Sequence, residues 1–517
     1  MNIRTDDDYM RKKNVMKSFK YGFVFSILIM AMTFWVRKVF FDSLGTELTG
    51  YYLLINQMLG FLNLAELGLG TASTYLLFKP LNDNNNSVLS STFIAVRSIY
   101  NVIQKVILGI GLILCFLLPY IVKSSIDFYN LYLPWILFVF STSLSYSYSA
   151  ESILLTADQK VYYLRLINGV ARVTCFLLQI AALKLNYGFI VFSMLEVMSV
   201  SVQMYFFKKI VKQQYTLNSE IEKNVNVIIK KNIFAEIKKT FIHKISGVLI
   251  FNTDYIIISI FLGLSSVTSY SSYIMLAQAM SFIITTLSVP LNSALGNYLH
   301  EKGSDATYEK FVQINVIFMC WASIFSFCYF TVSSNLITLW LGEDVVLPQT
   351  VVSLLALNCF CLIARTSVDI FKVAYGYMSD THLPIMEGLL NLIFSLILVH
   401  FFGIKGVVIG TIISNICIVM AARPYYLYKK AFGKTTSEFV KHHILVWSLS
   451  LISIVTLYLV LINQLNVLDK FHTGNLFDFI INCMILGVSA SIISGGVFLA
   501  GSKALRELLK QHFFNRT

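Results

Sequence analysis

Apolar runs of about 20 residues, the length that crosses a hydrocarbon layer as a helix, recur from one end of the chain to the other. They fall near residues 19–41, 47–72, 101–122, 131–155, 161–183 and 187–207. A second series follows near 241–263, 268–294, 311–336, 347–374, 384–402 and 404–427, with two more runs near 442–463 and 477–500. The pattern predicts an all-α polytopic membrane protein of about fourteen transmembrane helices, with twelve as the lower bound because the boundaries at 70–100 and 365–385 are indistinct. One polar stretch, 208–240, rich in Lys, Asn and Ile, interrupts the series and reads as an amphipathic helix lying on the membrane surface. The expected organisation is an N-terminal six-helix lobe (1–207), a cytoplasmic basic linker (208–240), a C-terminal six-helix lobe (241–430), and two extra helices with a cytoplasmic tail (431–517).

Composition settles the solvent. Hydrophobic residues make up 56% of the 517 and charged residues only 13%, where a soluble domain carries about 25% charged. In water that excess would leave an apolar, aggregating surface. The balance of 40 Lys and Arg against 27 Asp and Glu gives +13, and in a membrane protein such an excess belongs to cytoplasmic loops and calls for no nucleic acid. Its distribution agrees: Arg4, Arg11, Lys12, Lys13, Lys17 and Lys20 lie in the N-terminal tail, and the connections after spans six and twelve and the C-terminus are also basic. The intervening short loops hold only Lys123, Lys184, Lys405 and Lys470. Both termini are therefore expected in the cytoplasm, with no cleavable signal peptide. The eight cysteines all lie in apolar segments without metal-ligand spacing and read as small packing residues.

An internal repeat is expected as well. A shift of 218 residues lays Leu44-Gly45 on Leu262-Gly263, Glu151 on Asp369, and Gly188 on Gly406; a shift of 219 lays Asn168-Gly169 on Glu387-Gly388. Six spans per repeat is an even number, so the two halves would run parallel, related by an axis along the membrane normal, as in many transporters.

The stretch Leu44-Gly45-Thr46-Glu47-Leu48-Thr49-Gly50-Tyr51-Tyr52, with Leu64-Ala65-Glu66-Leu67-Gly68-Leu69-Gly70-Thr71-Ala72 after it, resembles the first two spans of bacterial polysaccharide repeat-unit flippases. These Wzx-type proteins are a branch of the multidrug/oligosaccharidyl-lipid/polysaccharide exporter (MOP) superfamily. The run Gly403-Ile404-Lys405-Gly406-Val407-Val408-Ile409-Gly410-Thr411-Ile412-Ile413-Ser414 is similar to that family's opening of span twelve. The resemblance implies movement of an undecaprenyl-diphosphate-linked oligosaccharide from the inner to the outer leaflet of the bacterial cytoplasmic membrane. It implies use in O-antigen, capsule or exopolysaccharide synthesis, and a polymerase and chain-length machinery as partners. Only Glu66 and the glycines of the two runs carry over as family positions.

A charge at the middle of a transmembrane helix costs about 2.5–3.5 kcal/mol on insertion scales, so such residues face a wet cavity or pair with one another. Here they are Arg37, Glu66, Glu151, Arg165, Arg172, Glu196, Asp254, Arg365, Asp369 and Lys372. A lipid diphosphate asks for arginine, a planar fork of donors that stays protonated. Arg37, Arg165, Arg172 and Arg365, with Lys372, are accordingly the candidates for a cationic cavity. Arg37 and Arg165 sit close to helix ends, where an arginine equally anchors the helix to the interface. Arg365 and Asp369 form an i,i+4 pair with Lys372 one turn on, either a charge cluster that exchanges partners or a static pair. Glu66, Glu151, Asp254 and Asp369 are candidates for charge pairing or for carrying a coupling ion, H+ or Na+; no other cofactor or metal is expected. Tyr146, Tyr148, Tyr162 and Tyr163 could stack on sugars or simply pack. Pro290, with Gln278 and Asn292, marks a hinge or a plain kink in span eight.

The sequence has no phosphate-binding loop ending in Lys-Ser/Thr, no His-Glu-x-x-His and no Gly-x-Ser-x-Gly, so it reads as a transporter rather than an enzyme. Three alternatives stand beside the repeat-unit flippase: a lipid II flippase, a cation-coupled multidrug exporter, and, from a different class, a membrane-embedded glycan polymerase. The short outer loops argue against the last.

Overall fold

A computed structural model of the chain describes residues 3–63, 69–83, 85–123, 126–217, 253–376, 382–464, 471 and 476–514. The protein is an all-α, multi-pass membrane protein, with no strand among the described residues. Most of the expected linker, the start of span seven and Glu66 lie outside the described residues.

Eleven described segments are long and apolar enough to cross a membrane. The difference from fourteen has three local causes. Helix α1 (Ile3–Leu62) counts once but carries two spans, because Gly45 (φ 80°, ψ −178°) breaks it. Span four is divided into α4 (Phe128–Ser145) and α5 (Ser149–Ala157) by a tighter 3₁₀ turn at Tyr146–Tyr148. Span seven is described only over Thr253–Leu262 (α8, following α6 and α7 below).

The indistinct region near 70–100 resolves into two helices, α2 (Leu69–Asn82) and α3 (Asn86–Leu114), the latter carried on to Ile121 by a 3₁₀ turn. Helix α3 starts fifteen residues before the expected 101. Its first turns are rich in hydroxyls, which a hydropathy reading counts as polar. Ser90, Thr92 and Ser91 instead donate to the carbonyls of Asn86, Val88 and Ser87 four residues back, which lets them be buried in a helix.

The chain divides into two compact units, Met1–Val267 and Thr268–Thr517. In the first unit, α6 (Val161–Lys184) packs along α1, and α7 (Gly188–Gln214) packs on α4 and α6. Gly169 makes the α1–α6 crossing tight, since a Cβ there would fall 2.2 Å from the Phe25 ring. An aromatic core of Phe40, Tyr52, Phe138, Phe189 and Phe192 fills the space between α1, α4 and α7 in edge-to-face and tilted contacts.

Helix α9 (Leu264–Leu341), which makes up the start of the second unit, carries two spans, Leu264–Leu299 and Asp305–Leu341, separated by a break at Gly303 (φ 80°, ψ −175°); within the first of them the chain stays helical through Pro290. Then come α10 (Gln349–Ala374), α11 (His382–Phe402), α12 (Ile404–Ser414), a π-helical run at Asn415–Ala422, and α13 (Arg423–Lys430). Helices α11 and α12 pack backbone to backbone, because a Cβ at Gly406 would meet the Leu398 carbonyl oxygen at 2.1 Å and one at Gly410 the Ser395 amide at 2.6 Å. This is the small-xxx-small geometry that membrane helices use in place of a hydrophobic driving force. The appended helices α14 (Thr436–Leu457, capped by a Thr435–Glu438 box) and α15 (Leu476–Gly501) pack on each other, and the short α16 (Lys503–Phe514) follows.

The expected repeat has a counterpart in the backbone at Gly45 and Gly263, both in the positive-φ region. Gly188 and Gly406 differ: Gly188 has φ 76°, whereas Gly406 lies inside α12 and the positive-φ glycine before that helix is Gly403.

Candidate functional site: an ionic network among membrane-spanning helices

Among the described residues, the largest linked group of ion pairs is in the second unit, where α10, α11 and α13 meet. Arg365 on α10 donates from Nε to Asp369 Oδ2 at 3.0 Å, one turn along the same helix. Its Nη1 lies 3.9 Å from Glu387 Oε1 on α11. Arg423, the first residue of α13, donates from Nη2 to Glu387 Oε2 at 2.6 Å and brings Nη1 to 3.8 Å from Asp369 Oδ1. Each arginine thus touches both acids. Lys372 is buried on the same helix within electrostatic reach of Glu387. Two arginines and two carboxylates are thus interlocked, with Lys372 beside them.

Local sequence explains how Arg423 is delivered. Pro424 has no N–H to donate to the Met420 carbonyl, and the turns before it widen into the π-helical run Asn415–Ala422. Such wide turns re-aim side chains and recur at functional sites. On α11, Asn391 is buried one turn beyond Glu387 and donates to Thr411 Oγ1 at 3.1 Å. The network is graded in exposure: the Glu387 side chain is fully buried and Arg423 nearly so, while Arg365 is 20% and Asp369 39% exposed. Asp369 is the most exposed member of the network.

In the first unit, Arg172 on α6 holds Glu196 of α7 at 2.5 Å and lies over the Phe176 ring. The other Glu196 oxygen accepts from Gln179 at 3.4 Å and faces the Cys175 thiol. Tyr52 stands within electrostatic reach of both this pair and Arg37, and Arg37 in turn of Tyr255, next to the buried Asp254. Arg37, Arg172 and Asp254 are thus brought into one neighbourhood.

The other expected residues lie apart. Glu151 is buried on α5, with Arg97 of α3 at 3.7 Å. Arg165 is exposed and lies along α1 at Gly22. Tyr146 and Tyr148 are spent on hydrogen bonds to Asn63 and Gln203. Tyr162 and Tyr163 sit in a polar knot with Lys17, Lys160 and Gln214.

Three participants escaped the sequence reading as charges of interest. Arg423 stands beside Lys429 and Lys430 and reads as the basic end of a span. Arg97 falls in the stretch left outside the apolar windows. Glu387 counts only as a repeat match, although an acid within one of the most apolar helices is itself the signal.

No family profile and no curated protein matches the sequence, but solved structures match the fold. The chain is similar to the lipid II flippase MurJ in an inward closed conformation, with a TM-score of 0.66 and 15% identity over 94% of this chain and 99% of that one. It is also similar to an inward-facing multidrug resistance MATE family transporter of the MOP superfamily (TM-score 0.60, 13% identity, 79% of this chain and 96% of that one). A third is the MATE transporter VcmN of Vibrio cholerae (TM-score 0.54, 15% identity, 82% and 98%). The chain has the fold of MOP superfamily transporters.

Proposed function

We infer that the protein is a flippase that carries an undecaprenyl-diphosphate-linked oligosaccharide from the inner to the outer leaflet of a bacterial cytoplasmic membrane by alternating access, both termini being cytoplasmic. The observation that carries this reading is the network of Arg365, Asp369, Lys372, Glu387 and Arg423, in which two arginine forks are held by two acids among membrane-spanning helices and one of those acids, Asp369, is partly exposed. A diphosphate is the anion that suits it. Phosphoryl oxygens displace Asp369 from the Arg365 fork, while Glu387 keeps Arg423 and Arg365 in place. The released Asp369 is then free to take up H+ or Na+, which would tie substrate entry to a coupling ion without any other cofactor.

The extent of the fold likeness favours a lipid-linked substrate over a drug. The match to the lipid II flippase extends over 94% of this chain, that to the MATE transporters over 79–82%. The same observation supports a second reading, in which the cargo is lipid II itself.

The test is a substrate panel in proteoliposomes: an undecaprenyl-diphosphate oligosaccharide, lipid II, and a cationic dye. Arrival at the far leaflet is scored with a lectin or glycosidase for the lipids and by fluorescence for the dye. The proposed function expects the first lipid to move fastest. Movement of lipid II alone selects the second reading, and movement of the dye alone removes both. Joining of oligosaccharides into longer chains would place the protein among glycan polymerases.

A further inference from the structure

The α6–α7 hairpin carries an open apolar groove of about 400 Å³, lined along α6 from Tyr163 to Leu178 and along α7 from Ile210 to Leu195. At 1.5 Å of rise per residue it is about 22 Å long. One end is polar and basic. Lys160 bridges Asp158 (2.8 Å) and Gln214 (2.9 Å), Gln214 donates to the Tyr163 hydroxyl at 2.9 Å, Lys17 lies 5.1 Å over the Tyr162 ring, and Arg165 is exposed beside them. The rest of the lining is apolar apart from Thr174 and Ser199. An anionic head at one end and a long hydrocarbon chain along the remainder match this division.

Length selects among such lipids. A phospholipid tail anchored at the basic end fills its own leaflet, about 15 Å, or half of a hydrocarbon core about 30 Å thick. The groove runs well past that depth. We propose that the α6–α7 groove is a binding site for the polyprenyl tail of the transported lipid before it is moved, its diphosphate at that stage resting at Lys17, Lys160 and Arg165 and reaching the Arg365 network only in transport. This rests on the lipid-linked reading above. It adds a specificity element for chain length, held in the first unit and separate from the ionic network of the second.

The experiment uses the full-length protein in nanodiscs and three photoactivatable probes: undecaprenyl diphosphate, farnesyl diphosphate and phosphatidylglycerol, each with its reactive group near the tail end. Cross-linked peptides are mapped by mass spectrometry. A few additional buried methylenes suffice for about a tenfold preference, so undecaprenyl diphosphate should label the 163–178 and 195–210 segments about tenfold more than either other probe. Val170 and Val202 line the groove and are 48% and 40% exposed, so V170W and V202W fill it without entering the packed core. They should abolish that labelling while the melting temperature in nanodiscs stays at the parental value. Equal labelling by phosphatidylglycerol, or labelling that persists in the tryptophan variants, overturns the tail site. Groove labelling by undecaprenyl diphosphate in a protein that moves no glycolipid would keep the site and remove the flippase reading. Glycolipid movement with all labelling elsewhere would do the reverse.

Discussion

Glu387 offers the sharpest energetic test of the ionic network. Its side chain has no exposed surface; Arg423 donates to one oxygen at 2.6 Å, and Arg365 stands 3.9 Å from the other. R423L keeps an aliphatic side chain at that position and deletes the stronger partner. Removing one member of a buried pair costs about 3–5 kcal/mol, because the remaining charge is left uncompensated. Arg365 survives at a longer distance and Lys372 is close by, so the low end, about 3 kcal/mol, is expected. Adding E387L removes the stranded carboxylate and should bring stability back to within about 1 kcal/mol of the parent, since buried pairs replaced together by apolar residues are near neutral. E387L alone strands the nearly buried Arg423 and should also cost about 3 kcal/mol, so the two substitutions should couple by about 5 kcal/mol in a double-variant cycle. Equilibrium unfolding in mixed micelles of the parent, both single variants and the double variant gives that coupling directly. A stable R423L protein, or a double variant less stable than either single one, would refute the geometry. The double variant should also transport poorly despite its recovered stability, which separates the role of the charges in transport from their role in folding.

Further outcomes follow from single positions. Gly45 holds a backbone conformation, φ 80° and ψ −178°, open essentially to glycine alone; G45A should lose about 1–3 kcal/mol in the same unfolding assay. G406V places methyl groups where the Leu398 carbonyl already stands 2.1 Å from an ideal Cβ, and overpacking of about 1–3 kcal/mol should appear as a lower melting temperature and reduced yield. R172A leaves Glu196 without its 2.5 Å partner and should depress both stability and transport, with R172A/E196Q recovering the stability. R165A, which removes an exposed side chain, should leave unfolding unchanged within about 0.5 kcal/mol.

Much of the fold was legible because the bilayer writes a simple rule into the chain: each crossing needs about 20 apolar residues. Where the rule misled, hydrogen bonding had done what apolar side chains usually do. The serines and threonine at the start of α3 satisfy themselves on their own backbone and are buried, although their polarity blurs the start of the span. The pairing of Arg365 with Asp369 was readable from i,i+4 spacing. Their link to Glu387 and Arg423 was not, because it depends on the close α11–α12 contact at Gly406 and Gly410 and on the wide turns that precede Pro424. Periodicity carries neither. The glycines themselves were visible, but their use as a contact surface becomes apparent only once the facing Leu398 and Ser395 are in place.

The central claim, that the ionic network moves a lipid diphosphate, is tested most directly by initial rates of glycolipid translocation in proteoliposomes. The parent is compared with R365A, K372A and the conservative R365K, all reconstituted at matched folded density. The parent should bring the undecaprenyl-diphosphate oligosaccharide to the far leaflet. R365A should lose most of that rate, K372A a part of it, and R365K should recover only a fraction, because an ammonium cannot reproduce the two-pronged guanidinium contact. Translocation at the parental rate by R365A and K372A, with folding intact, would contradict the account.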